Sequence, residues 1–146
     1  EAAKAEAFRY GSEAIVEQYI KGREFSVGVM DGKALPVIEM APKEGFYDYR
    51  NKYQEGTTVE TCPAQLPEDK SQRMQRIAEQ VFAVLRLKSY ARMDFIMSAD
   101  GEIYCLEANT LPGMTPTSLL PQEAAAGGMD FGQLCEEILR MAQRRA

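Results

Sequence analysis

The spacing of apolar and polar side chains predicts a series of short strands along much of the chain. Residues 14–20 and 24–30 are predicted strands joined by Lys21-Gly22-Arg23. Asp31-Gly32 is typical of a tight hairpin turn and leads into a third predicted strand at 34–41. Further strands are predicted at 57–64, 91–97 and 102–109. The stretch 42–56 mixes aromatic and charged side chains without an apolar period, which predicts an exposed loop.

Helical spacing of apolar residues is found in two segments. A long helix is predicted to begin at Pro67 and Glu68, with an apolar stripe formed by Ile77, Val81, Val84 and Leu85. The tail 131–144 has the same spacing at Leu134, Ile138, Leu139 and Met141. Residues 1–10 are rich in helix formers and predict the end of a helix closed by Gly11. The predicted class is α+β, an antiparallel sheet with covering helices.

Composition narrows the function classes. The 146 residues are 45% hydrophobic and 27% charged, which is enough apolar material for the core of one domain. A net charge of −5 argues against a nucleic-acid surface. No apolar run approaches the roughly 18 residues that a membrane span needs. We therefore expect a cytoplasmic protein without a nucleic-acid or membrane partner, and, because the chain begins at Glu1 rather than Met, a piece of a longer protein.

Histidine is absent from the sequence, and this excludes several kinds of site. The imidazole ring of histidine is needed in Ser-His-Asp triads, in Cys-His pairs and in imidazole metal sites. A metal ion must then be held mainly by oxygen, which favours magnesium, manganese or calcium. The three cysteines have no C-x-x-C spacing, so they indicate neither a zinc site nor a disulfide scaffold.

The last two predicted strands bring two carboxylates together. If Asp100-Gly101 is the centre of a tight hairpin, Asp94 lies directly across from Glu107, and Arg92 lies across from Asn109. All four side chains then point to one face, because strand side chains alternate. The opposite face is predicted to hold the apolar set Met93, Phe95, Met97, Tyr104, Leu106 and Ala108.

Two opposed carboxylates repel each other unless something lies between them. Asp, Glu and an Asn carbonyl are oxygen ligands that magnesium accepts, so a divalent cation is one interpretation. The alternatives are that Arg92 neutralises both acids in a surface network, or that the register slips and the acids never meet.

The segment NTLPGMTPTS follows the last of these strands. It contains a proline-fixed turn, a glycine whose N–H can approach a ligand closely, and several hydroxyls, which together fit an anion site beside a cation. The alternative is an ordinary turn that caps the next helix.

Five segments together resemble the C-terminal half of the D-alanine:D-alanine ligases, members of the ATP-grasp superfamily. They are EQYIKGREFSVGV, LPVIEMAPKEGFYDYRNKY, CPAQL, ARMDF and LEANTLPGMTPTSLLPQEAAAGG. The match runs from about Ala14 to the end of the chain, and R-x-D-F with E-x-N-T-x-P-G-M-T is its most specific part. The resemblance implies that residues 1–146 are the C-terminal portion of an ATP-grasp domain.

The resemblance also implies roles for the residues around the hairpin. Two magnesium ions, for which manganese can substitute, would be held by Asp94, Glu107 and Asn109. Arg92 and the N–H of Gly113 would stabilise the tetrahedral intermediate. The carboxylate of the second D-alanine would be held by Ser118 and Leu119.

ATP would be bound by residues from three parts of the chain. The base and ribose would meet Glu17, Gln18, Ile20 and Glu24, while Leu106 would pack on the adenine. In the predicted loop, the residues that border or contact the nucleotide would be Phe46, Tyr47 and Lys52, and Tyr53 would close over the D-alanine site. Each of these roles has an alternative. Glu24 could be a solvent-facing strand acid and Leu106 a core leucine. The loop could be a disordered surface segment.

The implied reaction is the ATP-dependent joining of two D-alanines through an acyl phosphate, for peptidoglycan synthesis. The family's N-terminal domain and glycine-rich phosphate loop are not in this sequence, so this segment alone is expected to be inactive, and the full-length protein is expected to be a homodimer. Two alternatives stay open: a depsipeptide ligase that uses D-lactate, and a non-catalytic nucleotide or magnesium-binding module.

Overall fold

The computed structural model describes residues 2–42 and 58–144, and of Pro42 only the backbone. Within these ranges the chain forms, in order, α1 (Ala2–Ala7), β1 (Gly22–Met30), β2 (Lys33–Ala34), β3 (Ile38–Pro42), β4 (Thr58–Thr61), α2 (Glu68–Val84), β5 (Tyr90–Ser98), β6 (Ile103–Asn109), α3 (Leu119–Ala126) and α4 (Phe131–Gln143). None of the helices in the described ranges is long and apolar enough to cross a membrane.

The strands form one antiparallel sheet in the order β4-β3-β1-β5-β6, and β2 pairs with the end of β1. The predicted turn at Asp31-Gly32 is confirmed, since Met30 pairs with Lys33 and both turn residues have positive φ, 49° and 79°. Such a turn matches the right-handed twist of the strands that it joins. The longest pairing is between β1 and β5, nine residues each, so these two strands form the centre of the sheet.

One face of the sheet packs against α2 and forms the main core. Alternate residues of β1 and β5 contribute buried side chains, which are Phe25, Val27, Val29, Ala91, Met93 and Phe95. The helix contributes Met74, Ala78 and Phe82, at the i, i+4, i+8 spacing of one helical face. The predicted stripe is therefore wrong by part of a turn: Ile77 and Val81 only border the core, and Val84 and Leu85 are 80% and 54% exposed.

The other face of the sheet is covered by α3 and α4. Met30 packs there with Ala124 of α3 and with Leu134 and Met141 of α4, while Leu119 packs on the β3 side chains. The predicted tail helix is confirmed. It begins with a capping box, in which Asp130 accepts from the Gln133 N–H, although Leu139 of the predicted stripe is 59% exposed. Helix α3 is the helix that the sequence analysis placed after NTLPGMTPTS without giving its bounds.

Two predicted strands differ from the structure. Residues 14–20 form no strand, and no described strand pairs with them; Ile15 and Val16 are 89% and 86% exposed. Lys21-Gly22-Arg23 is consequently not a hairpin turn, since Gly22 already pairs with Ser98. The predicted strand 34–41 is divided into β2 and β3, because Pro36 has no N–H to give to a ladder and one extra residue bulges from the sheet here.

Candidate functional site

The sheet brings Asp94 directly across from Glu107 and Arg92 directly across from Asn109, as the sequence predicted. The hairpin reaches this register in a different way. Its loop is one residue longer than predicted: Ser98 N–H donates to Glu102 O (2.9 Å), and Gly101 adopts a φ of 84°. A bulge between Asp94 and Phe95 then adds one residue, Leu106, to β6. The longer loop and the extra residue in β6 offset each other, so Asp94 and Glu107 are opposed as predicted.

Between the turn and the bulge, every β6 side chain points to the face opposite to the predicted one. Tyr104 pairs with Ile96 and Ile103 with Met97, so Ile103 rather than Tyr104 borders the core against α2. Leu106 lies at the bulge and is 52% exposed. The prediction that Tyr104 and Leu106 belong to the core face is therefore wrong, and their apolar surfaces are open to a ligand.

Arg92 and Asp94 form a buried, bidentate ion pair. Arg92 Nε donates to Asp94 Oδ1 (2.9 Å) and Nη2 donates to Oδ2 (2.8 Å), and both residues are buried. Two parallel hydrogen bonds of this kind fix the plane of both groups. One alternative was that Arg92 neutralises both acids in a surface network. The structure confirms this in part, because Arg92 pairs with Asp94, but the pair is buried.

The oxygen atoms around this pair fit a hard cation in part. Asp94, Glu107 and Asn109 lie on adjacent positions of one face, and a carboxylate with two hydrogen bonds still has lone pairs to offer. Asn109 Oδ1 accepts from the Leu111 N–H (3.0 Å) and keeps a second lone pair. The described residues contain no group of three or more Asp, Glu, Cys or His side chains able to hold a metal. Asp94, Glu107 and Asn109 would therefore supply only some of the ligands, as the protein residues of magnesium sites beside phosphates do.

The turn after β6 places Gly113 against Ser118. A Cβ on Gly113 would lie 2.8 Å from Ser118 Oγ, so only glycine allows this approach. Ser118 is the N-cap residue of α3, but its hydroxyl bonds to Thr115 N–H (3.1 Å) and Thr115 Oγ1 (2.8 Å) and not to the helix. The first N–H groups of α3 are left without a side-chain cap, which favours an anion there. Leu119 is buried, so only its backbone faces this site.

The predicted nucleotide residues come from several segments, and the structure describes only some of them. Glu24 lies in β1 and is half-buried on the same face as Asp94, since it pairs with Ile96. Glu17 and Gln18 are exposed in the stretch that precedes β1, and Ile20 is half-buried there. Four more predicted residues lie outside the described residues; they are Phe46, Tyr47, Lys52 and Tyr53.

Glu123 is a buried acid on this face that the sequence analysis missed. Its Oε2 accepts from the Gly28 N–H (2.5 Å), and the residue is fully buried. Burial raises its pKa to about 8, and the hydrogen bonds from Gly28 and Ser26 and the charge of Arg92 oppose this rise. Helical spacing could have found it, because Glu123 follows Leu119 by four positions and Leu120 by three, and both leucines are buried.

The reverse face of the sheet has a cavity of about 680 Å³ at the end where β1 begins. Three cations and several apolar side chains line it, including Lys21, Arg23, Lys70, Leu66 and Met97. Arg23 is paired there with Glu39 through two hydrogen bonds of 2.7 Å. None of the predicted site residues lines this cavity.

Comparison with known proteins identifies the family. The family model described as "D-ala D-ala ligase C-terminus" matches residues 1–140. The chain belongs to the D-Ala-D-Ala ligase C-terminal family. This family assignment agrees with the antiparallel sheet and the covering helices.

Individual relatives match nearly the whole of this chain. A D-alanine--D-alanine ligase of Methylacidiphilum infernorum is 48% identical over 137 residues, which are 94% of this chain and 45% of that protein. The ligase of Bacillus anthracis, solved with ATP, superposes with a TM-score of 0.83 at 34% identity, covering 98% of this chain and 47% of that one. The D-Ala:D-Ser ligase VanG of Enterococcus faecalis gives 0.80 at 29% identity, with 96% and 42% covered. The chain thus spans less than half the length of these relatives.

Proposed function

We propose that this chain is the C-terminal portion of the ATP-grasp domain of a D-alanine:D-alanine ligase, which joins two D-alanines with hydrolysis of ATP to ADP and phosphate. The observation that carries the proposal is the opposition of Asp94 to Glu107 beside the buried Arg92. This arrangement supports the proposal because acidic oxygens and a fixed positive charge on one face are what transfer of a phosphoryl group requires.

The reaction divides into two balanced steps. A carboxylate oxygen of the first D-alanine attacks the γ-phosphorus of ATP, the bond to the β-phosphate oxygen breaks, and ADP leaves. The amine of the second D-alanine then attacks the acyl carbon, the bond from that carbon to the phosphate oxygen breaks as the amide bond forms, and the amine proton leaves with the phosphate. Because both steps develop negative charge on oxygen, they need fixed positive charge and N–H donors rather than a histidine base.

The chain's own residues supply these groups in the proposal. Arg92 is held rigidly by Asp94, so its charge is pre-oriented toward the acyl oxygen. Gly113 would donate its N–H to the same oxygen, and the uncapped start of α3, with Ser118, would hold the carboxylate of the second substrate.

Magnesium would be held by Asp94, Glu107 and Asn109, and when bound it neutralises the charge on the transferred phosphoryl group. The nucleotide would lie along the same face toward Glu24, where Ile96, Tyr104 and Leu106 present apolar surface to a base. ATP is the nucleotide bound in the similar Bacillus anthracis structure.

The test is to incubate the full-length protein with ATP, Mg²⁺ and D-alanine, and to measure ADP release and D-alanyl-D-alanine by mass spectrometry. Arg92→Ala should lower kcat by about 10²–10³-fold, as loss of an oxyanion-stabilising group does. The exposed Arg73→Ala, which removes only a surface pair with Glu102, is the matched control and should leave kcat unchanged. Absence of dipeptide from the wild-type protein would reject the proposal.

A second acceptor class deserves a direct comparison because VanG, one of the similar structures, is a D-Ala:D-Ser ligase. The same assay with D-serine or D-lactate in competition with D-alanine decides the acceptor. We expect the D-alanine product to dominate. ADP release without any ligated product would favour the nucleotide-binding module instead.

A further inference from the structure

One side chain ties the turn before α3 to the end of the sheet. Nε2 of Gln122, in the first turn of α3, donates to Thr117 O (2.8 Å) and to the Glu60 carboxylate of β4. Both partners are acceptors, so the NH₂ group of the amide faces them, and it has one N–H for each. Glu60 lies 62 positions earlier in the chain, on the strand at one end of the described sheet. Gln122 therefore joins two parts of the fold that are distant in sequence.

The bond to Thr117 fixes the peptide unit that precedes Ser118. The carbonyl of this unit accepts from Gln122, and its N–H, which belongs to Ser118, donates to Thr115 O (2.9 Å). Because a peptide unit is planar, hydrogen bonds at both of its ends define its orientation. The Ser118 hydroxyl is held separately, by the N–H (3.1 Å) and the hydroxyl (2.8 Å) of Thr115. The backbone thus enters α3 in a defined direction.

The regular hydrogen bonds of the helix do not include this contact. The Gln122 N–H donates to Ser118 O (3.2 Å), as the α-helical pattern requires. Thr117 O lies before the N-cap residue, so the helical ladder directs no N–H to it. Thr117 is exposed, and water can satisfy an exposed carbonyl. The side chain of Gln122 therefore orders the turn rather than satisfying a buried group.

This order acts on the first N–H groups of α3. They have no side-chain cap, and in the proposed function they hold, with Ser118, the carboxylate of the second substrate. Each N–H lies in the plane of its own peptide unit, so the direction of these donors follows the backbone at 117–119. Arg92 lies on β5, in a different element, and a tilt of the turn would move the α3 donors relative to it.

We propose that Gln122 is a positioning residue for the accepting substrate. By holding Thr117 O and Glu60 together, it directs the Ser118 hydroxyl and the first α3 N–H groups toward the carboxylate of the amino acid that receives the acyl group. The inference rests on the proposed function, which assigns Ser118 and the start of α3 to the second D-alanine. Gln122 itself does not touch the substrate in this proposal.

Gln122→Met tests this role, since it removes both N–H donors and keeps the length of the side chain. Two D-alanines bind in the proposed reaction, so the rate of dipeptide formation by the full-length protein depends on D-alanine concentration through two KM values. At saturating ATP, the KM of the accepting D-alanine should rise about fivefold, the effect of one hydrogen bond of ordinary strength. The KM of the first D-alanine, the KM of ATP and kcat should stay within about twofold of wild type.

Gln122→Lys is the rescue variant. An ammonium group has three N–H donors and can serve the same carbonyl and carboxylate, so the KM of the accepting D-alanine should return to within about twofold of wild type. Gln75→Met is the matched control. Gln75 Nε2 also donates to a backbone carbonyl, that of Leu35 (2.9 Å), and Gln75 is half-buried like Gln122, but it extends from α2 on the opposite face of the sheet. Its loss should leave the KM of the accepting D-alanine unaltered.

The outcomes separate this inference from the proposed function. Dipeptide formation by the wild-type protein, with an unchanged KM of the accepting D-alanine in Gln122→Met, overturns the role of Gln122 alone. An equal rise in Gln75→Met, or a change of kcat and all three KM values together, also overturns it, because either result indicates general destabilisation. A wild-type protein that makes no dipeptide rejects the proposed function, and this inference with it.

A second variant covers the case in which Gln122→Met does not fold. Gln122→Ala lacks the same donors and favours the helix, so the same rise in the KM of the accepting D-alanine is expected. Failure of both variants to fold would show that Gln122 has a structural role and would overturn the inference.

Discussion

Gly28 of β1 and Leu120 of α3 are so close that a Cβ on Gly28 would overlap with the Leu120 Cδ1. Because Gly28 has no side chain, α3 can pack closely against the sheet and Glu123 Oε2 can accept from the Gly28 N–H (2.5 Å). The buried environment of Arg92 and Asp94 therefore depends on a glycine in the middle of a central strand, where glycine usually marks such a close approach.

Gly28→Ala should destabilise the protein by about 1–3 kcal/mol, the usual cost of forcing one carbon into a packed core. The obstacles are Leu120, Glu123 and Leu35 side chains held inside the protein, so relaxation is limited. Urea unfolding measures the change. Gly11→Ala, where the nearest atom is 3.9 Å from the new Cβ, is the control and should cost little. Equal stability of the two variants would contradict this packing.

The pKa of Glu123 predicts how stability depends on pH. Because its folded pKa, about 8, lies above the ordinary value of 4.5, the folded protein holds this proton more tightly than the unfolded chain. The contribution to stability is complete below pH 4.5 and is lost as pH rises through about 8. Relative to Glu123→Gln, the wild-type protein should lose up to about 1.4 kcal/mol of unfolding free energy per pH unit in this window.

The measurement is urea unfolding of wild type and Glu123→Gln at several pH values between about 5 and 9. The difference between the two proteins isolates Glu123 and its interactions with neighbouring charges, because ionisable groups that do not interact with Glu123 contribute equally to both. A difference that stays constant with pH would show that Glu123 titrates normally.

The Arg92–Asp94 pair should behave as a unit. Arg92→Gln leaves a buried carboxylate without its bidentate partner and should cost about 3–5 kcal/mol of stability. The double variant Arg92→Gln/Asp94→Asn should cost less than the sum of the single variants, since the second change removes the uncompensated charge. A double-mutant cycle by chemical denaturation measures the coupling.

The exposed pair of Arg140 with Glu136, four residues apart on α4, is the comparison for that cycle. Its coupling should be only about 0.3–0.5 kcal/mol, because both side chains are more than half exposed. Similar couplings for the two pairs would mean that the burial of Arg92 and Asp94 has no energetic consequence.

The loop of the β5–β6 hairpin depends on Gly101. Its φ of 84° is in a region that costs an L residue roughly 1–2 kcal/mol, so Gly101→Ala should destabilise the protein by about that amount. The new Cβ would meet Lys70 Nζ at 2.9 Å and Lys70 Cε at 3.5 Å, both at the end of a flexible side chain, so conformational strain dominates over the clash. Ala99→Gly in the same loop is the control, and thermal denaturation compares the two variants.

Local chemistry explains why so much of the sheet could be predicted from the sequence. Turn residues such as Asp31-Gly32 and the alternation of side chains along 91–109 act over a few residues, so they are visible in the sequence itself. The opposition of Asp94 and Glu107 was correct although the loop length was not, since the bulge compensated for the longer loop. Of the predicted site residues, Arg92, Asp94, Glu107 and Asn109 lie at the register positions that the sequence predicted.

Tertiary structure decided the features that depend on distant partners. The segment 14–20 alternates like a strand but has no described neighbour to pair with, and a strand exists only through pairing. The face of the sheet on which Tyr104 and Leu106 lie depends on the loop length and the bulge. Both of these depend on packing across the whole hairpin. Glu123 is buried because α3 folds back onto Gly28, 95 positions earlier in the chain. The sequence alone determined the local turns and the side-chain alternation, whereas only the folded chain decided which acids lose their water, because desolvation depends on everything that surrounds a group.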